Sequence, residues 1–116
     1  MPHIKLEHTK RLETKKLIKL FNEIVKVLKE FTSIKSENCK YKTYKINNYL
    51  IDKDHSNNFY HLEITLLEGK NNEIIKKISK KTLKILQKYF KNKNKEQFSV
   101  EIREVNKNNY TTTNRL

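Results

Sequence analysis

One pattern occurs twice along this 116-residue chain, and it limits the fold more than any other feature. Alternation of apolar and polar residues gives way to helical spacing, then returns to alternation. At residues 3–8, Ile4 and Leu6 fall on one face and His3, Lys5 and Glu7 on the other. That two-residue period is a strand's. Over residues 11–31 the spacing becomes helical. Leu17, Leu20, Phe21, Ile24, Val25, Leu28 and Phe31 form one apolar stripe, and lysines fill the opposite face. Thr9 is the expected N-cap, with Glu13 favourably placed for the dipole of the first turn.

The second round begins after a strand-like stretch at 38–46, rich in Tyr, Thr and Ile, with Asn47-Asn48 as its turn. Asp52 to Asn58 is polar and reads as a loop. Residues 59–67 alternate again, with Leu62, Ile64 and Leu66 facing one way. Gly69 ends that strand, and Asn71 or Asn72 can cap a helix running to about Phe90 through Ile75, Ile78, Leu86 and Tyr89. A Lys/Asn stretch at 91–95 breaks this helix. Phe98, Val100 and Ile102 then alternate with Ser99, Glu101 and Arg103 as a last strand, and the tail from Asn106 is polar and without period.

Overlaid, Pro2 through Phe31 resembles Tyr60 through Phe90, and each helix leads into another strand. The expected fold is a two-layer α+β domain over residues 1–116, with halves at about 2–58 and 59–105 and a polar tail. Two tandem β-α-β units with parallel crossovers form a four-stranded sheet with both helices on one face. The other face is left uncovered. Apolar residues there would call for a further layer, which a symmetric oligomer would provide.

Composition removes several function classes. No run approaches the ~20 apolar residues of a spanning helix, and no apolar signal segment follows Met1, so a cytoplasmic protein without a membrane partner is expected. A lone cysteine, Cys39, allows no internal disulfide and reads as a small buried hydrophobe. The net charge of +13 invites a nucleic-acid reading. However, the basic residues are nearly all Lys, with Arg only at 11, 103 and 115. That bias, with abundant Asn and Ile, is what AT-rich coding produces whatever the protein does.

Little of the usual catalytic vocabulary is present. His3 and His8 lie five apart on a strand and so on opposite faces, His55 and His61 complete the histidines, and no metal-ligand spacing links the four. The single glycine, Gly69, permits no Gly-rich phosphate loop. Pro2 is the informative residue. It is the only proline, follows Met1 and opens a strand. With Met1 removed, its secondary amine would sit at the sheet end. An amine held in an apolar pocket near other cations has its charged form disfavoured, and can then act as a base near neutral pH.

The opening Met1-Pro2-His3-Ile4 resembles the N-terminus of the 5-carboxymethyl-2-hydroxymuconate isomerases, of the tautomerase superfamily. Phe59-Tyr60-His61-Leu62-Glu63-Ile64-Thr65-Leu66, ending in Glu68-Gly69-Lys70-Asn71, resembles the family's strand followed by Gly-Arg-Ser. Phe98-Ser99-Val100-Glu101-Ile102-Arg103-Glu104 resembles its closing strand, and Cys39-Lys40-Tyr41-Lys42 sits where the family has Ile-Arg-Ser-Arg. The similarity spans about residues 1–105 and keeps the element order.

The resemblance implies a homotrimer of βαβ-βαβ subunits that uses no metal or organic cofactor. Pro2 would be base and proton shuttle on a small unsaturated keto or enol acid bearing carboxylates. Lys42, Lys70 and Lys40 would bind those carboxylates and stabilise the dienolate oxygen. All three are Lys where the family favours Arg, which replaces a planar two-point grip with a point charge. Two other readings accompany this one. Tyr41, Tyr44 and Tyr49 interleaved with Lys40, Lys42 and Lys45 could form a stacking and phosphate surface for nucleic acid or another polyanion. The chain could also keep the trimeric scaffold without the chemistry.

Overall fold

The computed structural model describes residues 1–53, 57–91 and 96–113. The elements are β1 (His3–His8), α1 (Thr14–Phe31), β2 (Lys40–Lys45), β3 (Phe59–Leu67), α2 (Asn72–Phe90) and β4 (Gln97–Val105). Short 3-10 turns at Ser36–Asn38 and Lys107–Asn109 precede β2 and follow β4. His55 and most of the Lys/Asn stretch at 91–95 lie outside the described residues.

The strands form one sheet in the order β2-β1-β3-β4. β1 pairs with β2 and β3 with β4 in parallel, so each strand–helix–strand unit builds one parallel pair. The two pairs meet antiparallel at the centre, with Ile4 opposite Ile64 and Leu6 opposite Leu62. This is the two-layer α+β fold expected from the repeat.

Alternation explains the layering. Ile4 and Leu6 of β1, and Tyr60, Leu62, Ile64 and Leu66 of β3, point to the helical layer and are buried. Leu20, Phe21, Ile24, Val25 and Leu28 of α1 meet them, with Ile78, Leu86 and Phe90 of α2. Each such burial stabilises by about 1.5–3 kcal/mol relative to exposure. On α2 the buried edge of the stripe is Phe90, and the expected Tyr89 is only partly covered.

Two local expectations are corrected. α1 begins at Thr14 with Glu13 in the N-cap position, and Glu13 makes no side-chain cap bond. Thr9 is not the cap because its hydroxyl is used elsewhere. It donates to Asn58 Oδ1 (2.8 Å) and accepts from the Phe59 amide (3.1 Å), tying the end of β1 to the start of β3. Asn71 does cap α2, its Oδ1 accepting from the Ile74 amide at 2.9 Å. β2 is shorter than 38–46 because the 3-10 turn before it uses Ser36–Asn38.

The uncovered face is mixed, polar at its centre and apolar toward its ends at Tyr44, Phe59, Leu67 and Val105. Lys5 pairs with Glu63 at 3.3 Å, and Arg103 reaches Glu101 at 2.8 Å and Glu63 at 3.8 Å. His61 lies between Ser99 (2.6 Å) and Glu101 (3.2 Å). Exposed and partly exposed pairs of this kind each contribute little. The exposed apolar side chains lie largely at the β2 edge and just beyond it, at Tyr41, Tyr44 and Leu50, with Ile18 on α1.

Candidate active site

The topology gathers several chain ends at one end of the sheet. β1 and β2 start there, β3 and β4 finish there, α1 runs out there and α2 begins. A cleft of about 430 Å³ opens at this end, walled by Met1, Lys35, Lys40, Glu68, Lys70 and Lys107 among others. The turn that carries Lys70 into the cleft depends on Gly69, whose φ of 122° is a conformation L side chains rarely adopt.

The candidate residues are distributed unevenly around this cleft. Pro2 is buried directly before β1, and its carbonyl accepts from the Lys40 amide at 3.2 Å, which locks the starts of β1 and β2 together. Its nitrogen is joined to Met1, and Met1 lines the cleft. Lys40 and Lys70 also line it. The Lys40 ammonium donates to the Asn38 carbonyl (3.2 Å) and that of Lys70 to the Leu67 carbonyl (3.5 Å). Lys42 is not among the lining residues. It sits two residues further along β2, opposite Lys5 in the register.

Two cleft cations escaped the sequence reading. Lys35 lies between α1 and β2, and Lys107 in the tail, segments without any period from which direction could be read. Neither has a carboxylate partner among the described residues. Four lysines and a single glutamate, Glu68, thus line the same space. The excess of cationic residues along the cleft favours an anion over a cation there.

His3 neighbours this charge. Its imidazole is held below the ordinary 6.5, first by burial and then by the N-terminal amine, Lys40 and Lys42, so it is neutral at neutral pH. Nε2 lies 3.1 Å from the Tyr110 hydroxyl, with the two rings edge to face. Burial pushes the Cys39 thiol up, and its Sγ donates to the Lys35 carbonyl at 3.6 Å, in keeping with a packed rather than a nucleophilic sulfur. Among the described residues no three His, Cys, Asp or Glu side chains gather to hold a metal ion.

The Tyr-Lys strand does not present a stacking platform. The Tyr41 ring stacks on Phe21 at 5.0 Å and Tyr49 packs edge-on against Phe59. Of the three tyrosines, Tyr44 is the most exposed.

The family model for 5-carboxymethyl-2-hydroxymuconate isomerase matches residues 2–116. The chain belongs to that family. No curated protein matches it. Among solved structures it is similar to a 5-carboxymethyl-2-hydroxymuconate isomerase from Deinococcus radiodurans, with a TM-score of 0.80 and 23% identity over 96% of this chain and 87% of that one. A fused 4-OT wild-type symmetric trimer matches with a TM-score of 0.76 and 10% identity, covering 90% of this chain and 87% of that one. A macrophage migration inhibitory factor-like protein from Entamoeba histolytica matches at 0.72 and 15%, covering 96% and 94%. At these identities the likeness speaks for the fold, and the family match makes this isomerase-family member a relative by sequence. No helix among its described residues is long and apolar enough to cross a membrane.

Proposed function

We propose that this member of the 5-carboxymethyl-2-hydroxymuconate isomerase family is a cofactor-independent tautomerase, acting as a homotrimer on an unsaturated keto or enol acid with more than one carboxylate. The observation that carries this reading is the cleft at the Pro2 end of β1, which four lysines and a single glutamate line. The trimeric 4-OT structure of like fold supports the assembly.

In this mechanism Met1 is removed, and Pro2 becomes an N-terminal secondary amine at the cleft wall that Met1 now forms. The neutral amine takes a proton from carbon beside the carbonyl, and the electron pair moves onto oxygen as a dienolate. The Pro2 ammonium then returns the proton to a carbon further along the conjugated system. Lys40 and Lys70 hold the substrate carboxylates and offset charge on the dienolate oxygen, a contribution that grows as the transition state forms. While Met1 remains, the nitrogen is an amide and has no basic pair to offer.

An intact mass gives the first test, since one Met residue must be missing from active protein. Such protein should interconvert enol and keto forms of a conjugated dicarboxylic acid, followed by ultraviolet absorbance. Protein with Met1 removed and no such activity on any substrate of this class overturns the proposal.

The lysines are expected to differ. Lys70→Ala and Lys40→Ala should each lower kcat/KM by about tenfold or more, the effect of losing a hydrogen bond to a charged group. Lys42→Ala, outside the cleft, should change it by less than about threefold. Steady-state kinetics on the three variants checks the order.

A further inference from the structure

The tail beyond β4 has a definite course. Asn106 Oδ1 accepts from the Asn108 amide at 2.8 Å, and backbone bonds from Asn109 and Tyr110 close the short turn at Lys107–Asn109. The segment leaves β4 at the cleft end of the sheet and ends on β1, where the Tyr110 hydroxyl meets His3 Nε2 at 3.1 Å. His3 is the residue after Pro2. Between these two anchors lies Lys107, which lines the cleft, and Thr112 lines it just beyond the second.

A polar, aperiodic tail could have run away from the sheet into water. Instead the capped turn fixes one end of this stretch and the half-buried ring of Tyr110 fixes the other, against the strand that positions Pro2. Lys107 lines the space shared with Lys35, Lys40 and Lys70, with no carboxylate partner among the described residues. Ordering a long cationic side chain beside three others is unfavourable by itself and becomes favourable when an anion enters.

We propose that residues 106–113 are a built wall of the substrate cleft, in which Lys107 is a further carboxylate-binding residue and Tyr110 is the positioning residue that holds it there through His3. The proposal rests on the cleft being the substrate site. It makes the tail a determinant of specificity, because Lys107 would favour a substrate carrying a second carboxylate over one carrying a single carboxylate.

The test uses the full chain with Met1 removed and a saturated dicarboxylate, adipate, as an unreactive probe measured by calorimetry. Lys107→Ala should weaken adipate binding by about tenfold, and Lys107→Arg should restore most of it. Tyr110→Phe, which keeps the ring and loses the hydroxyl, should weaken binding by a few-fold. It should add nothing further in the Lys107→Ala background if it acts only through that residue. Lys84→Ala, on the exposed surface of α2, controls for bulk charge and should leave binding unchanged.

If Lys70→Ala weakens binding while Lys107→Ala does not, the tail proposal fails and the cleft reading stands. Equal weakening by Lys84→Ala and Lys107→Ala would overturn it as a general charge effect. If the unsubstituted protein binds no adipate and shows no isomerase activity, both fall together. In kinetics with a reactive dicarboxylate, the Lys107→Ala loss should appear in KM with kcat within about twofold, a split that general damage to the fold would not produce.

Discussion

Pro2→Ala is expected to slow enol–keto interconversion by a factor of about 100 to 10,000, the usual contribution of a positioned general base. The expectation follows from where the chain begins its first strand. Pro2 is buried at the sheet end and held by its own carbonyl to the Lys40 amide. Its nitrogen therefore has a fixed direction, toward the position Met1 occupies on the cleft wall. In the proposed mechanism an amine there would stand beside a cleft lined by several lysines, which disfavour a further positive charge. Alanine also leaves an N-terminal amine after Met1 is removed, but a primary one without the ring that fixes its lone pair. The loss should therefore fall mainly on kcat, with adipate affinity kept. For the unsubstituted enzyme, kcat should decline as pH falls through the amine's titration, because only the neutral form accepts a proton. Equal kcat for the two proteins would remove Pro2 from the mechanism.

What the sequence made legible was decided by period. β1 and β3 alternate strictly, and their inward residues proved to be the core. The stripe of α1 was equally plain, since five of its members are buried. A period assigns residues to faces but does not say what meets each face. Lys5 and Glu63 could be seen to point away from the core, yet their pairing depended on the antiparallel register of β1 and β3, which is a tertiary fact. Thr9 shows the same limit at a helix start. Its type suits an N-cap, but an amide of β3 competed for its hydroxyl and won.

The lining of the cleft was half legible for a related reason. Lys40 and Lys70 adjoin regular strands, so family resemblance could carry position from one sequence to another. Lys35 and Lys107 lie in connecting segments, where neither period nor motif gives a direction, and only the closed fold brings them to the cleft. Lys42, also taken from the resemblance, does not line the cleft. Two residues along a strand is about 6.6 Å, enough to take a side chain out of the cleft while keeping it on the same face. The excess of positive charge was similarly ambiguous as a total. Much of it covers the outer helix surfaces, where Lys81 pairs with Glu30 and Lys88 with Glu23.

Tyr60→Ala should have the largest effect on stability, a loss of about 3–5 kcal/mol in a domain whose total is on the order of 5–15 kcal/mol. Tyr60 is 1% exposed and lies in β3, one of the two central strands. Its ring is nearly parallel to that of Phe90 on α2 at 4.5 Å, and to that of Phe98 on β4 at 5.2 Å. It thus joins the helical layer to two strands, and truncation would leave a cavity with aromatic walls fixed on separate elements that cannot readily close. Tyr60→Phe keeps the stack and should cost less than about 1.5 kcal/mol, so the pair separates ring packing from the hydroxyl. The hydroxyl has its own signature. Burial, with the Glu96 carboxylate nearby, pushes the phenol up to about 12 from its ordinary 10.0. A folded value above the unfolded one means the native state keeps the proton longer. The associated stability is complete below pH 10 and is lost as pH rises from 10 through about 12. Urea unfolding at a series of alkaline pH values, with tyrosinate absorbance followed in parallel, should show this decline in the unsubstituted protein and a smaller one in Tyr60→Phe. A Tyr60→Ala variant losing less than about 1 kcal/mol would mean that Phe90 and Phe98 close on one another, and that β4 is held to α2 without the ring between them.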